Sequence, residues 1–133
     1  MSIVKLKVAV GVLFNSNDEV LIGQRTVKDR YFQQWEFPGG KLEPGEQPEQ
    51  ALVRELSEEL GIEVQAWRPL LELEHEYPDR HVQLMVFCVT QFTGEPHGRE
   101  DQALMWVRPE ELDQIDFLSG NQKIIEAVQN LPE

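Results

Sequence analysis

The chain has one cysteine, no long hydrophobic run, and half as many basic as acidic residues, 12 against 24 in 133. A single cysteine, Cys88, excludes an intramolecular disulfide framework and suits a reducing compartment. It lies within the apolar run LMVFCV, so a buried, inert thiol is expected. No apolar stretch approaches the roughly 18 residues of a membrane span, and no signal pattern opens the chain. The expectation is therefore a cytoplasmic protein with no membrane partner. The shortage of positive charge, a net −12, argues against binding nucleic acid polymers, because phosphate tracking needs a basic stripe. His75, His81 and His97 show no paired metal-ligand spacing and are expected on strand surfaces and in a loop. Repeats, linkers and low-complexity segments are also missing. The chain is long enough to bury one core, so residues 1–133 are expected to form a single domain.

The informative stretch runs from Glu36 to Ile62, EFPGGKLEPGEQPEQALVRELSEELGI. Pro48 suits the first turn of a helix, where its missing N–H would be unpaired anyway. Gly61 suits the left-handed residue that closes the last turn. Between them Leu52, Val53, Leu56 and Leu60 share one arc at helical spacing and should face a core. The neighbouring arc carries Glu55, Glu58 and Glu59, with Glu46 just upstream. Two such charges ~5–6 Å apart repel by ~3 kcal/mol at an effective dielectric near 20. They also crowd the end of the helix where the macrodipole disfavours anions. Arg54 can offset one of them through an i,i+4 pair with Glu58. A solvated acidic face is the bland reading. Loop glycines and the additional Glu46 instead favour a site for a hard divalent cation, Mg2+ or Mn2+, with phosphate oxygens completing the shell. A P-loop is excluded, because Glu46 and Gln47 stand where Lys and Ser/Thr are required.

Elsewhere, residues 4–14 alternate and then become uniformly apolar, as a strand covered on both faces would. Asn15 to Asp18 is a turn cluster, and residues 19–24 read as the returning strand of a hairpin. Residues 67–76 and 80–92 form two further strands around the turn Tyr77-Pro78-Asp79. A polar loop, GEPHGREDQ, contains Glu100 and leads to a short strand over 103–107. Pro109 opens a helical turn. Ser119 is the expected N-cap of a final helix over about 120–130, with Ile124, Ile125, Val128 and Leu131 inward. Tyr31, Phe32 and Trp35 are expected to pack, whereas Phe37 adjoins the glycines. Mixed strands with helices on both sides predict an α/β fold, a three-layer α/β/α sandwich.

Gly40, five residues, Glu46, seven residues, Arg54-Glu55-Leu56, one residue, Glu58-Glu59, one residue, Gly61-Ile62 resembles a complete Nudix box over residues 40–62. WEFPGGKLEPGE, EYPDRH, the GEPHGRE loop and Asn121 extend the resemblance to the MutT-type members of that family. The resemblance implies the Nudix sandwich with a mixed sheet, and Mg2+-dependent hydrolysis of oxidised purine nucleoside triphosphates. Such enzymes convert 8-oxo-dGTP to the monophosphate and pyrophosphate by water attack at the β-phosphorus. It further implies metal ligation by the Gly39 carbonyl and by Glu55, Glu58, Glu59 and Glu100. Glu55 is then the first choice of general base and Glu100 the second, with Arg54 in the catalytic set. Arg25, Arg30, Glu36, Phe37, Pro38, Gly39, Arg80 and Asn121 would meet or order the substrate. Asn121 suits a purine edge because an amide donates and accepts at once; its alternative is helix capping. A monomer acting on a small nucleotide is expected. The alternatives are a Nudix hydrolase of CTP, another triphosphate or ADP-ribose, and a non-catalytic nucleotide sensor.

Overall fold

The computed structural model describes residues 5–131. Val4, expected in the first strand, lies outside that range. The elements are β1 (Lys5–Leu13), β2 (Val20–Gln24), β3 (Trp35–Glu36), β4 (Gly39–Lys41), α1 (Pro48–Leu60), β5 (Glu63–Tyr77), β6 (Arg80–Thr93), β7 (Leu104–Val107) and α2 (Gln122–Gln129). Short 3-10 turns cover Pro109–Gln114 and Ser119–Asn121. β1 is exposed at its start and buried from Ala9 onward. It pairs in parallel with β6, from Lys5↔His81 to Leu13↔Val89, and antiparallel with β4. With β5 on β6, the main sheet has the order β4-β1-β6-β5 and is mixed.

The expected β1–β2 hairpin is corrected. The chain does turn at Asn15, whose Oδ1 accepts from Asn17 N and Glu19 N at 2.9 and 3.0 Å. β2 then leaves the first sheet and joins β3 and β7 in a second, antiparallel one. Uniformly apolar strands read alike in one sheet or two, because both faces are covered either way. β5 also begins earlier than expected, at Glu63, and passes Pro69 at a register shift. An edge strand tolerates proline there because the missing N–H breaks no ladder.

Side chains alternate across β1 and divide the core. Ala9 and Leu13 pack under α1 with Leu52, Leu56, Leu60, Met85 and Phe87. Val10 and Val12 face the other way, against Ile124, Ile125 and Val128 of α2. Helices thus cover both sides of the sheet, as the α/β/α reading requires. Cys88 is buried, and burial raises its thiol pKa, in keeping with an inert role. Ser119 does not cap α2: it sits in the preceding 3-10 turn, and its Oγ lies 3.1 Å from His75 Nε2. Among the described residues no helix is long and apolar enough to cross a membrane.

Candidate active site

α1 and the loops at its two ends assemble the acidic residues. Gln50 Oε1 accepts from Gln47 N at 2.9 Å, closing the first turn without a Ser, Thr or Asp cap. At the other end Gly61 takes φ +70° and its N–H bonds Ser57 O at 3.0 Å. The last carbonyls of a helix lack internal partners, and here the loop after β6 supplies them. His97 N donates to Leu60 O at 3.0 Å, Arg99 N to Glu59 O at 3.1 Å, and Gln102 Nε2 to Glu59 O at 3.2 Å. Gln102 Oε1 in turn accepts from Glu100 N at 2.9 Å. That double use of one amide fastens the Glu100 loop to the helix carrying Glu55 and Glu59.

A cleft of about 410 Å³ opens there, lined by Arg25, Glu36, Pro38, Gly39, Gly40, Glu55, Glu59, Glu100 and Gln102 among others. A larger hollow of about 820 Å³, around Asp18, Arg68, Arg108 and Leu131, gathers none of the expected site residues.

Arg54 stands at the rim and organises the charges. Its Nε and Nη2 grip Glu46 Oε2 and Oε1 at 2.8 and 2.9 Å, the fork-on-carboxylate pairing that arginine favours. Nη1 donates to Glu55 at 2.9 Å and to Glu58 at 3.2 Å, and Nη2 to Lys41 O at 3.0 Å. The Arg54 bonds, with help from Glu43 N–H, hold the Glu46 carboxyl down at about 2. The expectation that Glu46 adds to a cation site is therefore corrected: both its oxygens are committed to Arg54. Glu58 is also drawn to Arg54, with its side chain 61% exposed.

Glu59 receives only a neutral donor, Gly39 N at 3.2 Å. Burial first, then the charges of Glu36 and Glu100, push its carboxyl up to about 8. Glu55 is raised by burial against the pull of Arg54, and Glu36 by burial against Arg25. Three carboxyls held above their ordinary range form a set of hard oxygen donors short of positive charge, which suits a divalent cation. Among the described residues, no group of three or more stands close enough to enclose an ion as the side chains lie.

The substrate residues divide. Arg25, Glu36, Pro38 and Gly39 line the cleft. Arg25 Nη2 donates to Asp29 at 3.1 Å, Nη1 lies 3.5 Å from Glu36, and the buried Nε has no partner among the described residues. Phe37 turns its side chain away, into the core against Phe117 at 5.5 Å, so only its backbone borders the site. Its N–H donates to Asn121 Oδ1 at 3.1 Å. Asn121 is buried, lies outside the cleft lining and makes no side-chain cap bond on α2. Arg80 does not line the cleft: its guanidinium lies 5.3 Å from the ring centroids of both Tyr31 and Tyr77. Arg30 is exposed and also outside the lining. The sequence carried no signal for Gln102 or for the Arg54–Glu46 fork, since neither follows a spacing that a periodicity rule would find.

Residues 5–128 match the NUDIX domain family. The chain is 42% identical over 127 residues to an 8-oxo-dGTP diphosphatase of Escherichia coli (strain K12), covering 96% of this chain and 98% of that protein. It is 35% identical over 127 residues to a CTP pyrophosphohydrolase of the same organism, covering 96% and 94%. A solved MutT structure, from work on Aliivibrio salmonicida and Vibrio cholerae, superposes with a TM-score of 0.81 at 36% identity, covering 94% of this chain and 97% of that one.

Proposed function

The chain belongs to the NUDIX domain family, and on that premise we propose that it hydrolyses 8-oxo-dGTP and related oxidised purine triphosphates to monophosphate and pyrophosphate. The observation that carries the reading is the cleft itself, with Glu36, Glu55, Glu59 and Glu100 on its walls and Arg25 at the edge. The family's dependence on divalent cations fits these donors. Mg2+, with Mn2+ as a substitute, would be held by Glu55, Glu58, Glu59, Glu100 and the Gly39 carbonyl, neutralising phosphate charge and activating water.

The chain's own groups then have distinct tasks. Glu55 takes the proton of the attacking water as it approaches the β-phosphorus, and Arg54 Nη1 at 2.9 Å fixes which carboxylate oxygen stays free. Glu100 is the second candidate for that proton; clustered acids titrate as a group. Glu58 exchanges its bond to Arg54 for a place nearer the phosphates. Arg25 turns unused guanidinium donors toward the substrate, and Arg30 and Arg80 support it from outside the cleft. Glu36, the Phe37 backbone and Pro38 border the nucleoside.

Asn121 separates a purine from a pyrimidine reading. Its oxygen already accepts from Phe37 N–H, which leaves the NH2 group to donate. A 6-oxo purine presents an acceptor there, whereas cytosine presents an amino donor. The CTP reading, which the 35% identical relative raises, is therefore second. A monomer of one domain, working in the cytoplasm on a small nucleotide, completes the proposal.

The test is a Mg2+-dependent panel of 8-oxo-dGTP, dGTP, CTP and ADP-ribose with product identification. 8-oxo-dGTP should lead in kcat/KM and release pyrophosphate; a lead for CTP or ADP-ribose refutes the substrate assignment. Glu55→Gln should cut turnover at least ~100-fold with the fold intact; unchanged turnover refutes Glu55 as the general base, and a wild type that binds nucleotides but hydrolyses none points to a non-catalytic sensor.

A further inference from the structure

Asn121 sits at the end of a strap, residues 116–121, that is pinned from two sides. On one side Trp35 N donates to Asp116 O and Leu118 N to Trp35 O, both at 2.9 Å, and Phe37 N reaches Asn121 Oδ1. These bonds register the strap against the segment that leads into the cleft. On the other side stands the end of β5. Tyr77 is buried, and its hydroxyl oxygen accepts from Gly120 N at 2.9 Å. His75 meets the Tyr77 ring edge-on at 4.6 Å and places Nε2 3.1 Å from Ser119 Oγ. A Cβ at Gly120 would overlap that same Tyr77 hydroxyl. Hydroxyl and glycine are thus fitted to each other, one residue before Asn121. The side chain of Asn121 makes no cap bond to α2. Its side chain is therefore held by the Phe37 N–H at the end of the strap and not by a cap bond to the helix that follows.

We propose that Tyr77 is a positioning residue for base recognition: its hydroxyl holds Gly120, and through Gly120 sets where the Asn121 amide meets the purine. The inference rests on Asn121 reading the base, as proposed above. The Tyr77 hydroxyl bonds Gly120 N, and phenylalanine keeps the ring that stacks on Arg80, so loss of the hydroxyl acts on selectivity and leaves hydrolysis alone. Removing the hydroxyl leaves the Gly120 N–H buried without its partner. The turn then relaxes, and the amide loses its aim while the acidic cleft is undisturbed.

The experiment compares kcat/KM for 8-oxo-dGTP and CTP in the wild type, Tyr77→Phe, Asn121→Ala and the double variant. Tyr77→Phe should lower the 8-oxo-dGTP:CTP ratio about tenfold, the scale of one hydrogen bond, through KM and with kcat for CTP unchanged. The double variant should be no worse than Asn121→Ala, because both changes act through one contact. Gly120→Ala, which presses on the Tyr77 hydroxyl, should lower the same ratio. An equal fall for both nucleotides would mark Tyr77 as merely structural and overturn the proposal. So would an unchanged ratio in Tyr77→Phe when Asn121→Ala moves it. A ratio unmoved by Asn121→Ala overturns the base-reading assignment itself, and the role of Tyr77 with it.

Discussion

Replacing Glu59 with glutamine removes a strongly displaced charge from the cleft while keeping the side-chain shape. Glu59 is held at about 8 in the folded protein, against 4.5 for an ordinary glutamate, by burial first and then by Glu36 and Glu100. Because the folded value is the higher one, the folded state keeps the extra proton between the two, and stability falls as pH rises through that window. Below about pH 4.5 both states are protonated and nothing is lost; above about pH 8 both are ionised and the full penalty applies. At ~1.4 kcal/mol per pH unit the ceiling is about 5 kcal/mol. Part of it requires Glu36 and Glu100 to be charged simultaneously, which coupled acids avoid, and water screens a half-buried carboxyl. About 2 kcal/mol is the expected effect. Urea unfolding in EDTA at about pH 5 and about pH 8.5 provides the assay. Glu59→Gln should gain about 2 kcal/mol on the wild type at the higher pH and much less at the lower. Glu36 and Glu55 are also raised by burial, and loss of the Glu59 charge that faces them is part of the gain at the higher pH. Glu46, held at about 2, loses its contribution as pH falls from about 4.5 to about 2, below the range of the assay. A difference independent of pH, or a variant less stable at high pH, would refute the reasoning. Saturating Mg2+ should narrow the gap, since an ion bound only by the folded wild type stabilises it by mass action.

Two neighbouring glycines should respond differently to alanine. The atoms nearest a Cβ at Gly40 belong to the Glu55 carboxyl, the movable end of a side chain, whereas one at Gly39 meets the Ala9 carbonyl of β1. Gly40→Ala should unfold within ~1 kcal/mol of the wild type yet turn over ~100-fold slower, because a displacement of ~1 Å at a reacting group has that effect. Gly39→Ala should cost more than ~2 kcal/mol in thermal or urea unfolding. Gln102→Leu leaves Glu100 N and Glu59 O without their shared amide; it should lower kcat about tenfold with KM unchanged.

Much of this was legible in the sequence because it depends on local rules. The arc of Leu52, Leu56 and Leu60, the Pro48 start and the Gly61 stop of α1 follow from 3.6-residue spacing and φ preference alone, and all are observed. The cluster of Glu55, Glu59 and Glu100 was found through a motif and a matching loop. What escaped was set by non-local pairing. Nothing in VLIGQ says whether it returns to β1 or crosses to β3 and β7. The Arg54–Glu58 pair follows from i,i+4 spacing and is observed, but only the fold shows that Arg54 also takes Glu46 and that burial isolates Glu59. Phe37 lies beside the glycines in sequence, yet in the link between β3 and β4 its ring packs inward against Phe117.

α1 therefore forms against its own electrostatics, and the balance explains why it can. Acids cluster in its C-terminal half with no basic residue in the last turn, so neither the macrodipole nor neighbouring charges favour the helix there. The i,i+4 repulsion is ~3 kcal/mol at most. On the adjoining arc Leu52, Leu56 and Leu60 are fully buried, each stabilising by roughly 1.5–3 kcal/mol. Packing wins even before Arg54 ties down Glu46, Glu55 and Glu58. The core face of α1 thus maintains the charge density that the cleft needs, and the loop from His97 to Gln102 clamps its last carbonyls where fraying would otherwise relieve it. Two sets of contacts remote from any substrate keep Glu59 beside Glu100, and on the proposed function a bound cation would relieve the crowding that raises the Glu59 carboxyl.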